Sequence, residues 1–334
     1  MTTRIAILGA GRIGQVHAGA IALATDADLV AVADPVATAG RALACAHGCE
    51  TRTIDQIAAA DDVDAVLICS PTNTHAELIE RFCRAQKAVF CEKPVDLDLT
   101  RVKRCLAVVA ETDGTLMVGF NRRFDPDFRA LKTAIDAGRI GKVEMVIITS
   151  RDPGPPPYAY IKHSGGIFRD MTIHDFDMAR WLLGEEIETV QAAASVLVDP
   201  KIAELGDYDS TSVILRTASG RQAIINNSRR ASYGYDQRIE VHGSQGMVSA
   251  QNQHKARITV ANADGLQQPP LLDFFMTRYV SAFREQMAAF VTSVSEHTPT
   301  PTNGDDGLKA LALADAALLS VSGARTVRLS EVLG

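Results

Sequence analysis

The feature that most limits how this chain can fold is Gly9-Ala10-Gly11-Arg12-Ile13-Gly14. It stands directly after the apolar run Ile5–Leu8 and ahead of an alanine-rich stretch with helical spacing. Glycines at these three places, between a strand and a helix, permit a tight turn, close approach of backbone to a ligand, and close packing of helix on strand. A helix starting there offers free N–H groups and the positive end of its dipole to an anion. A pyrophosphate meets that description. The chain is therefore expected to open with a βαβ unit that holds a dinucleotide, with Gly9, Gly11, Arg12, Ile13 and Gly14 as cofactor-binding candidates.

The surrounding pattern agrees. From Arg4 to about Val118, short apolar runs alternate with helical stretches: Ile5–Leu8, Leu29–Ala33, Ala65–Cys69, Ala88–Cys91 and Leu116–Gly119. Such runs suit a parallel sheet covered by helices on both faces. Asp34 closes the second run, where this fold places the acid that binds the adenosine ribose hydroxyls. A carboxylate there repels a 2′-phosphate, and Pro35-Val36-Ala37-Thr38 brings no cation, so NAD is expected rather than NADP.

After Phe120 the texture changes. A helical stretch, Asp127–Ala137, is followed by longer runs at Val143–Arg151, Thr189–Val198, Ser210–Thr217, Arg221–Asn227, Arg238–His242 and Ala256–Val260. Ser219-Gly220 is a hairpin signal between two of them. Helices are expected at about Asp273–Ser295 and Asp305–Ser320. The fold class is thus α/β, with an N-terminal Rossmann dinucleotide-binding domain over residues 1–120. A C-terminal α+β domain with a large open, mostly antiparallel sheet is expected over 121–334. With 334 residues, 46% of them hydrophobic, there is material for two cores. A net charge of -6 argues against a nucleic-acid partner. No run approaches a membrane span and no leader pattern is present, so a cytoplasmic protein is expected. The cysteines, all in the first third, read as reduced packed thiols, and Cys45-x-His47-x-Cys49 alone supplies too few ligands for a metal site.

Two segments carry chemistry. Cys91-Glu92-Lys93-Pro94 ends an apolar strand, and ligands in open α/β sheets bind beyond the carboxyl ends of strands. The second is Ser164–Asp177. Read as a regular helix, it puts Asp170, His174 and Asp177 on one face at i, i+4 and i+7. An imidazole flanked by carboxylates suits acid–base work near neutrality, although a structural His–Asp pair gives the same pattern. No metal is needed for either segment.

Taken together, the glycine turn, Glu92-Lys93-Pro94, Gly119-Phe120-Asn121-Arg122-Arg123-Phe124-Asp125 and Asp170-x-x-x-His174-Asp175-Phe176-Asp177 resemble the glucose–fructose oxidoreductase / inositol dehydrogenase family. Ser150-Arg151-Asp152-Pro153 and Asn226–Asp236 resemble its inositol 2-dehydrogenase branch in particular, and the likeness runs essentially end to end, weakest around Gln251–Pro270. The resemblance implies oxidation of the axial hydroxyl of myo-inositol to 2-keto-myo-inositol, with NAD taking the hydride. It implies His174 as general base, Asp170 as its orienting partner and Lys93 as the cation on the reacting oxygen. It further implies Asp177, Asp152, Arg123 and Tyr233 or Tyr235 toward the other hydroxyls. Ser70, Pro71, Thr72, Asn73 and His75 would form a cofactor-facing loop, with Glu92 and Asn121 flanking the nicotinamide. A homo-oligomer, tetramer or dimer, joined through the exposed sheet face is also implied. The alternatives are a dehydrogenase of scyllo- or chiro-inositol or of an aldose, and a regulator that binds NAD without turnover. A pure binding module has no chemical reason to retain Lys93, Asp170 and His174 together.

Overall fold

The computed structural model describes residues 2–334. The chain divides into two compact units, Met1–Asp125 with Ser281–Leu311, and Pro126–Val280 with Ala312–Gly334. In the first, strands β1 (Thr3–Leu8), β2 (Ala27–Ala33), β3 (Glu50–Thr51), β4 (Ala65–Ile68), β5 (Ala88–Cys91) and β6 (Leu116–Val118) alternate with α1 (Arg12–Ala22), α2 (Ala37–His47), α3 (Ile54–Ala59), α4 (His75–Arg84) and α5 (Leu99–Glu111). The strands form one all-parallel sheet in the order β3-β2-β1-β4-β5-β6. Ile5, Ile7, Val66, Leu67, Val89 and Phe90 are fully buried, as both faces of a covered sheet require. The register pairs Leu8 with Ala33 and Ile68, Ile68 with Cys91, and Cys91 with Val118. The residues that follow these strand ends, Gly9, Asp34, Cys69, Glu92 and Gly119, therefore share one edge of the sheet. Strand β3 was not expected: its two residues are exposed and carry no apolar signal.

The second unit contains α6 (Pro126–Asp136), β7 (Val143–Arg151), α7 (Tyr158–Ser164), α8 (Ile173–Leu183), β8 (Ile187–Ser195), α9 (Pro200–Glu204), β9 (Ser210–Thr217), β10 (Gln222–Ser228), β11 (Asp236–Gly243) and β12 (Gly246–Ala250). These are followed by the hairpin β13 (Val260–Asn262) and β14 (Gly265–Gln267), then α10 (Phe275–Arg278). With β15 (Val327–Arg328) near the end of the chain, seven strands form a sheet in the order β12-β11-β7-β10-β9-β8-β15. Every pair is antiparallel except β7 with β10. Alternation sorts the faces. Val146, Ile148, Val213 and Leu215 are buried on the side where α8 packs, while Ile147 and Ile214 point to the other, open side.

Two expected runs end differently. The run through Val198 stops as a strand at Ser195, because the N–H groups of Leu197, Val198 and Asp199 donate to the Asp209 carboxylate instead of to a neighbouring strand. Ala256–Val260 forms no strand of the large sheet; only Val260 joins the separate, exposed hairpin.

The chain then closes the first unit. Helix α11 (Val280–Glu296) buries Met287, Phe290 and Val291 in one cluster with Ile5, Ile7, Phe90 and Met117. The segment ahead of α12 (Gly304–Gly323) lines the free edge of β6. Val118 N–H donates to Thr302 O at 2.8 Å, and the Thr302 and Thr300 hydroxyls donate to the carbonyls of Val118 and Leu116, each at 2.7 Å. The first unit is therefore discontinuous in sequence, unlike the 1–120 block expected, because pairing of residue 302 with residue 118 leaves no local signature. A last short helix, α13 (Ser330–Leu333), ends the chain.

Candidate active site

The glycine turn is shaped by close approach of backbone to backbone. Gly9 has φ +108°, and a Cβ there would lie 2.7 Å from Cys69 O. A Cβ on Gly14 would lie 2.0 Å from Gly9 O, so helix and turn touch where only hydrogen fits. At Gly11 a Cβ would meet nothing within 4 Å, and no side chain caps the start of α1. Open space before uncapped N–H groups is what a diphosphate requires. Asp34 accepts from the N–H groups of Ala10 at 2.6 Å and Val36 at 2.7 Å, which ties the end of β2 to the turn. Arg12 is exposed and Ile13 partly so. These features fit a dinucleotide.

Along the same edge, Ser70 and Thr74 share a hydrogen bond of 2.6 Å that shapes the short helix Thr72–Thr74, with Asn73 exposed. His75 departs from the expected cofactor-facing position. Its ring is buried, with Nδ1 2.7 Å from Pro94 O and Nε2 2.8 Å from Ser70 O. Burial pushes it below the ordinary imidazole range despite both carbonyls. It braces two loops to each other and turns no polar atom outward. Glu92 and Lys93 follow β5, both partly exposed, and the Lys93–Pro94 peptide is cis. Asn121 is buried just past β6. Arg123, expected toward a polyol, gives one guanidinium nitrogen to Asp306 at 2.9 Å. Burial pushes the Cys105 thiol up to about 12 and the Cys83 thiol to about 11, which disfavours the thiolate.

In the second unit the segment carrying Asp170 is not the regular helix its spacing suggests. Phe168–Thr172 forms a π turn and α8 begins only at Ile173. The entrance explains it. Gly165 and Gly166 both have positive φ, and Ile167 N–H donates to Asp207 Oδ1 at 2.8 Å. A Cβ on Gly166 would lie 2.7 Å from that same oxygen, so Asp207 clamps the start of the turn. Such turns recur at functional sites. Asp170 and His174 are partly exposed, whereas Asp177, one turn further, is buried.

Beneath them runs a polar network that the sequence pattern did not single out. Asp175 accepts from Ser150 Oγ at 2.6 Å and from Asn227 Nδ2 at 2.8 Å, and Thr172 Oγ1 donates to Asn227 Oδ1 at 2.7 Å. This pins α8 and the π turn to β7 and β10. Arg229, 1% exposed, has both terminal nitrogens 3.5 Å from Asp170 Oδ2 and one of them 3.6 Å from Asp207 Oδ2. A buried cation must be paired, and here it is shared by two carboxylates. Burial raises the Asp207 carboxyl against the opposing pull of Ile167 N–H and Arg229. Tyr160 OH donates to Asp170 Oδ1 at 2.8 Å. Arg229 lies in the Asn226–Asp236 segment already noted for its resemblance; Asp207 had no signal at all.

Asp152 is partly exposed at the end of β7. The two tyrosines precede β11, with Gly234 at φ +125° between them, and they differ in burial. Tyr233 is exposed, its hydroxyl donating to Asp236 Oδ2 at 2.6 Å and accepting from Arg151 at 3.0 Å. Arg151 also reaches Asn226 on the open face. Tyr235 is buried, edge-on to Tyr279, whose hydroxyl donates to Gln237 Oε1 on the face that α8 covers.

The parallel sheet with its glycine turn defines a dinucleotide-binding unit. Residues 3–120 match the oxidoreductase family with an NAD-binding Rossmann fold, and residues 128–249 match the GFO/IDH/MocA C-terminal domain. The chain belongs to this GFO/IDH/MocA family, and its cofactor is NAD. It is 62% identical over 330 residues, 99% of this chain and 100% of the other, to an inositol 2-dehydrogenase of Rhizobium meliloti (strain 1021). A solved myo-inositol dehydrogenase of Corynebacterium glutamicum superposes with a TM-score of 0.95 at 44% identity, covering 98% of this chain and 99% of that one. A scyllo-inositol dehydrogenase of Lactobacillus casei, solved with NAD(H) and scyllo-inositol bound, gives 0.92 at 31% identity, covering 99% and 100%. Among the described residues no helix is long and apolar enough to cross a membrane.

Proposed function

We propose that this enzyme oxidises myo-inositol at its axial hydroxyl to 2-keto-myo-inositol. The observation that carries the reading is that Asp170, held by buried Arg229, and His174 are both partly exposed on one segment of a chain similar end to end to an inositol 2-dehydrogenase. Loss of hydride from a C–H requires loss of the hydroxyl proton, and NAD supplies the hydride acceptor. His174 takes that proton. Asp170 orients the imidazole and is itself held by Arg229 and Tyr160. Lys93 offers its ammonium to the oxygen as it becomes alkoxide. Asp34 holds the adenosine ribose, the Gly9–Gly14 turn with Arg12 and Ile13 holds the pyrophosphate, and Ser70, Thr72, Asn73, Glu92 and Asn121 line the cofactor's path. Asp152, Asp177 and Tyr235 orient the remaining hydroxyls. Arg123, braced by Asp306, and Tyr233, bonded to Asp236, are further candidates for those hydroxyls.

The enzyme acts in the cytoplasm as a homo-oligomer, tetramer or dimer, without a nucleic-acid partner. Its copies meet through the open sheet face, where Ile147, Ile214 and Met247 are exposed. The test is a substrate panel read by absorbance of the reduced cofactor, with myo-, scyllo- and chiro-inositol and D-glucose. The highest kcat/KM is expected with myo-inositol and NAD. A higher value with another polyol would reassign the substrate, and no reduction with any of them would overturn the reading.

A further inference from the structure

His17 lies in α1, three residues beyond the last glycine of the turn, and is fully buried. Its ring meets Phe90 and Phe283 edge-on, at centroid distances of 5.0 and 5.5 Å. Its polar contact is with Glu92, Nε2 to Oε1 at 2.6 Å. Nδ1 is buried with no hydrogen-bond partner. An ionised carboxylate only accepts, so Nε2 carries the proton. A second proton on Nδ1 would be a buried donor facing aromatic edges, which is costly to leave unsatisfied. Glu92 is thus fixed from behind by a donor that cannot turn elsewhere.

From another side Gly119 completes the grip. A Cβ there would lie 2.9 Å from Glu92 Oε2 and 3.0 Å from its Cδ, so the carboxylate fills the space a side chain would take. With its side chain only 13% exposed, Glu92 shows a narrow edge at the carboxyl end of β5.

We propose that His17 is a positioning residue for Glu92, and that through this carboxylate it sets the preference of the site for the oxidised over the reduced dinucleotide. The inference rests on the placement of Glu92 beside the nicotinamide proposed above. The nicotinamide ring is cationic in NAD+ and neutral in NADH, so a fixed negative charge nearby favours the first. A carboxylate free to swing into water loses most of that effect to solvent screening.

The test measures Kd for NAD+ and NADH separately, by calorimetry and by NADH fluorescence, together with Tm. His17→Phe keeps an aromatic ring against Phe90 and Phe283 but cannot donate. It is expected to weaken NAD+ about ten-fold and NADH less than about two-fold, as is Glu92→Gln. The double variant is expected to lose no more than either single one. His17→Gln, whose amide can still donate, is expected to retain most of the preference. In the cofactor-free protein, the Nε2–H resonance of 15N-labelled His17 is expected to be present and to move upfield in Glu92→Gln, whose neutral amide oxygen is a weaker acceptor.

Equal weakening of both forms by His17→Phe would overturn the inference, as would additive losses in the double variant or an Nε2–H resonance indifferent to Glu92→Gln. If Glu92→Gln alone leaves the ratio unchanged, the nicotinamide placement fails and this inference falls with it. If the unaltered protein binds neither form, the proposed function itself falls.

Discussion

The glycine turn of the first unit and the π turn of the second both expose a small polar surface, but they are made of different material. At Gly9–Gly14 the surface is main chain, and its shape follows from three missing β-carbons within six residues. At Phe168–His174 it is side chain, and its shape depends on Ser150, Asp207, Asn227 and Arg229, none of them nearby in sequence. A backbone site is insensitive to distant substitution and intolerant of a methyl group. A side-chain site is the reverse: its exposed members can be exchanged without unfolding the chain, while its support cannot.

Three substitutions probe that contrast. The largest effect is expected from His174→Ala, which removes the proton acceptor but little packing. Steady-state kinetics should show kcat falling by about 10²–10⁴-fold, with Kd for NAD held within about two-fold and Tm unchanged. A kcat that survives would dissolve the side-chain half of the comparison. Next comes a matched pair in the turn. Gly11→Ala adds a methyl to open space, so Tm should hold while NAD binding weakens by about ten-fold or more through lost access to the pyrophosphate. Gly14→Ala puts the same methyl 2.0 Å from Gly9 O and should lower both Tm and NAD affinity. Equal Tm values for the two would show that the turn relaxes more easily than its geometry implies.

The smallest effect concerns a support of the second unit. Burial alone would raise the Asp209 carboxyl, but hydrogen bonds from the N–H groups of Leu197, Asp199 and Val198 hold it below the usual carboxylate range. A depressed carboxylate stabilises the fold above its unfolded pKa of about 3.9, and the contribution is lost as pH falls through the folded value. Asp209→Asn should therefore cost on the order of 1–3 kcal/mol at pH 7. In thermal melts, the Tm gap to the parent should narrow steadily below about pH 4.

Much of the fold was legible because it is written locally. Ala88–Cys91, Val143–Arg151 and Ser210–Thr217 are strands at the residues their patterns suggest, since burial on two faces or one leaves a period in the sequence. The glycine turn and Asp34 were legible for the same reason. What was not legible depends on partners far along the chain. Asp207 converts the helix at Phe168 into a π turn from forty residues beyond Ile167. Pro94 O and Ser70 O draw His75 inward. His17 leaves no mark in the sequence, because a buried histidine in an alanine-rich helix gives no signal until Glu92 is placed beside it.

The return of residues 281–311 to the first unit also bears on how the protein is made. A ribosome releases β1 to β6 early, with Phe90 and Ile7 still lacking Phe290 and Met287, and with β6 presenting an unpaired edge. The nucleotide-binding half cannot complete its core until Thr302 has emerged, by which point the entire seven-stranded sheet except β15 has been synthesised. Completion therefore comes late for both units: the first waits for residues 281–311 and the second for residues 312–334, which bring β15. A truncated product ending near Asp125 would keep both its sheet edge and its apolar cluster open, a template for aggregation rather than a free-standing nucleotide-binding domain.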